Sequence, residues 1–231
     1  PNDFGLQGEL PTHPQLLDWL ALELIENGWR LKSLHKQIVM SATYRQSAAN
    51  DAAKLKVDPE NKLHWRRTPA RLEAEVIRDS ILKMSGLLDE RMFGAGTLDE
   101  SMKRRSIYFM IKRSKLIPSM QLFDSPEPLV SQGSRPATII APQALHFMNN
   151  GQVRASAVEL AKQLKAQPDT AAAVAFGYQT VLGRDPTPKE EKSIASFIDL
   201  QEKSYSNNGR ELALADFVQV LFGLNEFIYP E

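Results

Sequence analysis

The residues best suited to chemistry are charged or aromatic and lie between positions 105 and 135. They are Arg105, Tyr108, Arg113, Asp124, Glu127 and Arg135. Arginine side chains hold sulfate, phosphate or carboxylate groups through two parallel hydrogen bonds. Two neighbouring carboxylates, here Asp124 and Glu127, can act as the acid and the base of glycoside hydrolysis. This combination indicates an enzyme or a binding domain that acts on an anionic polysaccharide.

The same residues also have a structural interpretation, which the sequence favours. Basic residues run from Lys103 to Lys115 around an apolar stretch, and lysine and arginine protect the ends of a buried strand from pairing with other chains. Asp124 can cap a turn and pair with Arg135. No glycine-rich phosphate loop accompanies them. We therefore predict no catalytic residue and regard the six side chains as a candidate surface for a ligand or a partner.

No cofactor or metal site is predicted. The chain has no cysteine, which excludes disulfides, zinc–thiolate sites and iron–sulfur clusters. Its histidines, His13, His35, His64 and His146, do not show the spacing of paired metal ligands on one helix. The sequence also lacks a Walker loop and a dinucleotide-binding fingerprint.

The charge balance argues against nucleic acid as a partner. The 231 residues include 28 basic and 28 acidic side chains, so the formal net charge is zero, whereas nucleic-acid binders usually carry a basic excess. No apolar run is long enough to predict a membrane span, and no signal peptide is visible. Because the chain begins at Pro1 without methionine, we expect it to be a fragment of a longer protein.

Helices must position the candidate side chains, because amphipathic helical patterns lie on both sides of them. Apolar residues recur at helical spacing from Pro14 to Gly28 and from Leu31 to Tyr44, which predicts an antiparallel helical hairpin. A turn is predicted at Asp58-Pro59-Glu60-Asn61.

The helix nearest the candidate residues is predicted to follow Thr68-Pro69, a cap and a first-turn proline. It is expected to run from Ala70 to about Leu88, with Val76 on its buried face and Arg78 or Asp79 on its solvated face.

Capping signals are clearest in the last third of the chain. Asp169 is a predicted N-cap, and Thr187 with Glu190 forms a predicted capping box. Pro142 opens another helix, which is expected to break near Asn150. The fold class is therefore mainly α, a multi-helix domain with a minor β element around residues 105–112, where Ser106–Lys112 is predicted as a strand.

One domain is predicted over residues 1–231. Two helical lobes, residues 1–100 and 142–231, would be joined by a strand-and-loop insert at residues 103–141.

A series of short phrases, in order along nearly the whole chain, resembles a known family. The phrases include Asn2-Asp3-Phe4-Gly5, Gly28-Trp29, Ser41-Ala42-Thr43-Tyr44-Arg45, Arg71-Leu72, Ile77-Arg78-Asp79, Arg104-Arg105-Ser106-Ile107-Tyr108, Phe123-Asp124, Ala141-Pro142-Gln143-Ala144-Leu145, Met148-Asn149-Asn150 and Leu182-Gly183-Arg184. Together they are similar to the C-terminal planctomycete-specific domain of unknown function. Each phrase alone is weak, but the combination is specific.

The resemblance implies a place in a large secreted or cell-envelope protein, in company with cytochrome-c-type domains, and it implies no reaction. Relatives commonly have a cysteine before Arg135, where this chain has Ser131-Gln132-Gly133-Ser134, so a role for a thiol is not carried over. The leading hypothesis is a non-catalytic structural or interaction module that contacts other domains of its own polypeptide. The alternatives are an enzyme or binding domain for anionic polysaccharide, and a docking module for a cytochrome-c-type domain.

Overall fold

The computed structural model describes residues 5–129 and 133–230, and these ranges are mainly α-helical, as predicted. In the described ranges the chain forms two compact units, of which the first ends at Ala70 and the second runs from Arg71 to Pro230. The helices of the first unit are α1 (Pro14–Glu26), α2 (Leu31–Met40) and α3 (Ala52–Val57). Those of the second are α4 (Ala74–Met84), α5 (Pro118–Leu122), α6 (Ala141–Asn149), α7 (Gly151–Lys165), α8 (Thr170–Leu182), α9 (Pro188–Ser204), α10 (Gly209–Phe222) and α11 (Asn225–Ile228).

The division into two units is defined by the contacts that residues make within each unit. The prediction of one domain with lobes at residues 1–100 and 142–231 stays a prediction. Among the described helices, none is both long enough and apolar enough to cross a membrane.

In the first unit, a tight reversal joins α1 to α2. Gly28 and Trp29 both have left-handed backbones, with φ of +64° and +61°, and the N–H of Trp29 donates to the carbonyl of Leu24 at 2.8 Å. Glycine adopts this conformation without a steric penalty, which is why it ends helices. Both helices of the predicted hairpin are present, and they contact each other.

A buried asparagine holds the loop after α3. Asn61 has a left-handed backbone, and its Nδ2 donates to the carbonyl of Arg66 at 2.7 Å and to Oγ1 of Thr68 at 2.9 Å. The carboxylate of Asp58 accepts hydrogen bonds from two backbone N–H groups that follow it. The turn predicted at this point is therefore closed by its own polar side chains.

The core of the second unit surrounds α10. Seven residues of this helix are buried: Ala213, Leu214, Ala215, Phe217, Val218, Leu221 and Phe222. A helix that is apolar around most of its circumference belongs in the interior, and α10 contacts α6, α7, α8, α9 and α11. Helix α4 packs against α7 and buries Ala74, Ile77 and Ile81. This packing fixes α4, whose outer face carries the site described below.

The predicted caps of the second unit are confirmed. Asp169 accepts a hydrogen bond from the N–H of Ala172, and Thr187 and Glu190 exchange the two hydrogen bonds of a capping box. Asn150 is both the C-cap of α6 and the N-cap of α7, so the predicted break is a junction without a loop. Local signals of this kind act within one turn of helix, which is why the sequence reveals them.

The start of α4 was predicted four residues too early. The helix begins at Ala74, with Glu73 as its N-cap, and not at Ala70. The N–H of Leu72 donates instead to the carbonyl of Ile228 at 2.8 Å. A contact with the distant end of the chain therefore holds the residues after Pro69 out of a helix.

The strand predicted at Ser106–Lys112 is wrong, and the β content around residues 105–112 is limited to isolated bridges. Ser106–Tyr108 forms a 3-10 turn, because Asp79 of α4 accepts hydrogen bonds from the backbone N–H of Ser106 at 2.8 Å and from its hydroxyl at 2.7 Å. In the middle of this segment, Phe109 forms an isolated parallel β-bridge with Thr97.

Arg184 connects the end of α8 to α9 and α11. Its guanidinium binds Glu190 (Nη2–Oε1, 2.8 Å) and Glu226 (Nε–Oε1, 2.5 Å). The carboxylate of Glu190 accepts hydrogen bonds from Arg184 and from the backbone N–H of Thr187, and these lower the pKa of Glu190 to about 2. The three side chains are about one-third exposed, so solvent screens the pair and reduces its contribution to stability.

We expect Arg184→Gln to lower the free energy of unfolding by about 1–2 kcal/mol at neutral pH. The pKa of Glu190 is depressed in the folded state, so its contribution is present above its ordinary value of 4.5 and is lost as the pH falls toward 2. The variant should therefore lose less stability than the parent on acidification over this window. Urea unfolding followed by far-ultraviolet circular dichroism measures both effects. Tryptophan fluorescence would not report on this unit, because Trp19, Trp29 and Trp65 all lie outside it.

The matched control is Arg91→Gln, which removes a pair between Asp89 and an arginine side chain that is 80% exposed. Its effect on the free energy of unfolding should be much smaller than that of Arg184→Gln, because solvent screens an exposed pair. Equal losses in the two variants would contradict a bracing role for Arg184.

Candidate functional site

An open groove of about 710 Å³ runs along the outer face of α4. Val76, Ser80 and Lys83 recur at helical spacing and form one wall. The opposite wall is formed by Arg105, Ser106, Ile107, Phe109 and Ile111, and Arg135 also lines the groove. We call this surface the α4 groove.

The walls of the α4 groove carry exposed apolar side chains. Ile107 is 74% exposed and Ile111 is 80% exposed. Val76, which was predicted to be buried, is 43% exposed, because α4 buries Ala74 and Ile77 instead. A contiguous apolar surface of this kind is a mark of an interaction site.

The charged groups of the groove are all paired, and all but Lys83, which binds Glu90, pair with one another. Arg135 binds Glu75 (Nη1–Oε2, 2.6 Å) and lies 3.3 Å from a carboxylate oxygen of Glu73. Arg105 lies 3.9 Å from a carboxylate oxygen of Asp79. The arginines predicted to hold an anionic ligand therefore already face carboxylates.

A smaller cavity of about 180 Å³ adjoins the groove. Glu75, Phe109, Ile111 and Arg135 line both, so the Arg135–Glu75 ion pair lies where the two meet. Glu127 lines this cavity. Three of the six predicted residues, Arg105, Glu127 and Arg135, thus lie along one continuous depression.

Two residues of α4 that were not predicted as part of the site fix its opposite wall. Arg78, one of the two residues (Arg78 or Asp79) predicted for the solvated face, has a side chain only 12% exposed. It donates to the carbonyls of Met102 and Arg104, and its guanidinium lies 4.7 Å from the ring centre of Phe109. Burial lowers the pKa of Arg78. Asp79 holds Ser106 as described above, so both side chains anchor the segment that forms the groove wall.

Asp124 lies in a separate, buried brace. Its carboxylate binds Arg71 (Oδ2–Nη2, 2.6 Å), and the two side chains are 13% and 4% exposed. Thr138 donates to the same carboxylate through its backbone N–H and its hydroxyl, both at 2.8 Å. The predicted pairing with Arg135 is wrong, since Arg135 binds Glu75. Both oxygen atoms of Asp124 are already engaged, which suits a structural carboxylate better than an acid or base.

Tyr108 and Arg113 lie apart from the groove. The guanidinium of Arg104 stacks 3.5 Å from the ring centre of Tyr108, whose hydroxyl accepts a hydrogen bond from the N–H of Phe93 at 2.5 Å. Tyr108 therefore braces the loop before it. Arg113 is exposed and lines neither the groove nor the adjoining cavity.

A third cavity, of about 50 Å³, lies between α4, α5 and the α6–α7 junction. It is mostly apolar, and His146 contributes its imidazole edge-on to the ring of Phe123, with ring centres 5.6 Å apart. Burial lowers the pKa of His146, against a smaller opposite effect of Glu100. The volume suits a few water molecules.

The comparisons identify a family. A family model described as PSD1, protein of unknown function (DUF1553), matches residues 1–198, which include both walls of the α4 groove but not α10 or α11. No curated protein and no solved structure matches the chain. The opening Asn2-Asp3-Phe4 phrase, Ser131 and Gln132 lie outside the described residues.

Proposed function

The chain belongs to the PSD1 family of proteins of unknown function, and we propose that it is a non-catalytic module that binds a polypeptide segment in the α4 groove. One observation carries this proposal: Ile107 and Ile111 stay largely exposed in a groove whose charges are already paired. Interfaces combine an apolar centre with a polar rim, and this groove has both.

The partner we propose is another part of the same longer polypeptide, in a secreted or cell-envelope protein. The resemblance to planctomycete domains that accompany cytochrome-c-type domains supports this location and makes such a domain a candidate partner. A segment tethered in the same chain reaches a high effective concentration, so a shallow groove with modest affinity suffices.

An enzyme or binding domain for anionic polysaccharide has less support. Glu73, Glu75 and Asp79 line the same groove as Arg105 and Arg135, so a sulfated or carboxylated glycan would meet carboxylates there. Asp124, the proposed acid or base, is held by Arg71.

The test is a selection of random peptides displayed on phage against the whole chain, followed by calorimetric titration of the selected peptides. We expect the double variant Ile107→Asp/Ile111→Asp to weaken their binding at least about tenfold, because interface affinity concentrates in a few apolar anchors. The control is Leu200→Asp, which places an acid at a 68% exposed leucine of α9, away from the groove. Equal binding by both variants, or no enrichment of peptides, would contradict the proposal.

A further inference from the structure

The apolar wall of the α4 groove contains a short extended segment that is hydrogen-bonded along one edge. The N–H of Thr97 donates to the carbonyl of Tyr108 at 3.0 Å, and the N–H of Met110 donates to the carbonyl of Thr97 at 2.8 Å. Gly96 permits this approach, because a Cβ at that position would lie 3.1 Å from the carbonyl oxygen of Tyr108. Tyr108 and Met110 therefore direct their backbone groups toward Thr97.

The opposite edge of the same segment is open. Backbone groups of an extended chain alternate in direction, so the carbonyl of Phe109 and the N–H of Ile111 point away from Thr97. Within residues 5–129 and 133–230, neither group has a hydrogen-bond partner. Ile111 is 80% exposed, so solvent reaches this edge. An open edge is a template for another extended chain.

The charges beside this edge indicate which chain can pair with it. Lys112, Arg113 and Lys115 follow the segment, all three are exposed, and in the described parts of the chain none forms an ion pair. Arg104 and Arg105 precede it. A second copy of this chain would bring these basic residues face to face in either strand direction, and like charges on paired strands repel. These basic residues therefore disfavour pairing of the edge with a second copy of the chain and favour pairing with an acidic partner.

We infer that the partner of the α4 groove is an extended segment that adds as a β-strand to the open edge at Phe109–Ile111. Its centre carries apolar side chains at alternate positions, which meet Ile107 and Ile111, and its acidic residues lie beside Lys112, Arg113 and Lys115. Main-chain hydrogen bonds supply affinity and alternate side chains supply specificity, as in other cases of strand addition. This inference rests on the proposed function and specifies its ligand.

The decisive variant is Ile111→Pro, which removes the N–H that the partner's carbonyl would bind. Its control, Ile111→Val, keeps that N–H and a similar apolar surface. With a peptide selected on the whole chain as the probe, we expect Ile111→Pro to weaken binding roughly tenfold and Ile111→Val, which trims one methylene from the apolar contact but keeps the N–H, to weaken it much less. The side chain of Ile111 is 80% exposed and its N–H has no partner in the described residues, so neither change removes a core contact or a hydrogen bond.

The same peptide, synthesised with single backbone N-methyl groups, gives an independent readout. Methylation should weaken binding at alternate positions only, because every second N–H of a paired strand faces its neighbour. The triple variant Lys112→Gln/Arg113→Gln/Lys115→Gln should bind less tightly and with less dependence on salt.

Each contrary outcome has a distinct meaning. If the peptide binds the groove but Ile111→Pro behaves like Ile111→Val and methylation shows no alternation, the strand-addition inference is wrong while the proposed function stands. If no peptide binds the groove, the proposed function is wrong as well. If the chain instead forms a dimer that Ile111→Pro disrupts in sedimentation measurements, the edge binds a second copy and the inference is overturned.

Discussion

Replacing Asp124 with alanine is expected to destabilise the second unit by about 3–5 kcal/mol, one of the two largest effects we predict. The substitution leaves the guanidinium of Arg71, 4% exposed, without its counter-ion. Nε and Nη1 of Arg71 already lack hydrogen-bond partners in the described structure, and Nη2 would keep only the carbonyl of Phe123, at 3.2 Å. Asp124 also has a left-handed backbone, with φ of +58°, which alanine adopts at a cost.

Two further variants separate these causes. Asp124→Asn tolerates the left-handed backbone and keeps one acceptor oxygen, so it should lose clearly less stability than Asp124→Ala. The double variant Arg71→Met/Asp124→Asn removes both charges and should be more stable than the sum of its single changes, because no unpaired buried charge remains. Urea unfolding monitored by circular dichroism measures the parent, these three variants and the single variant Arg71→Met, which the sum requires. A loss below about 1 kcal/mol in Asp124→Ala would show that the brace is not structural.

Phe217→Ala should have an effect of similar size, about 3–5 kcal/mol, for a different reason. Phe217 is fully buried at the centre of α10, and its ring lies against Gly177 of α8 and 6.1 Å from the ring of Tyr178. Its removal leaves a cavity in a core whose surrounding helices cannot collapse fully into it.

Gly177→Ala tests the same contact from the other side. A Cβ at Gly177 would lie 2.8 Å from Cε1 of Phe217, and that ring is fully buried. We expect overpacking to cost about 1–3 kcal/mol, despite the better helix propensity of alanine. In a Phe217→Ala background the added methyl group should be tolerated, because it points into the new cavity. Additive losses in the double variant would contradict this account of the α8–α10 contact.

The sequence predicts the helical class and most helix ends of the second unit, because the signals are local. The capping box of Thr187 and Glu190 and the N-cap of Asp169 depend on residues within one helical turn. The predictions of local structure are wrong where a residue distant in sequence forms a hydrogen bond with the backbone. Asp79 captures Ser106 and prevents a strand, and Ile228 captures Leu72 and delays the start of α4.

The candidate site was predicted only in part, for a related reason. The sequence groups charges by their nearness along the chain, whereas the structure pairs Arg135 with Glu75 and Asp124 with Arg71 across long separations. Which partner each charge finds depends on where α4 packs, and α4 is fixed by its buried residues rather than by its charges. Arg78 was missed because an arginine that follows Ile77 and precedes Asp79, one helical turn after Glu75, normally faces water.

Asn150 sets a limit on how this family member can change in length. Because one residue ends α6 and begins α7, no loop at the junction can absorb an insertion or a deletion. Removing or adding one residue there would rotate α7 by about 100° relative to α6. The buried stripe of α7, which includes Val153, Leu160 and Leu164, would then turn away from α10. Substitutions can be tolerated on either side of the junction, but indels should be confined to the loops.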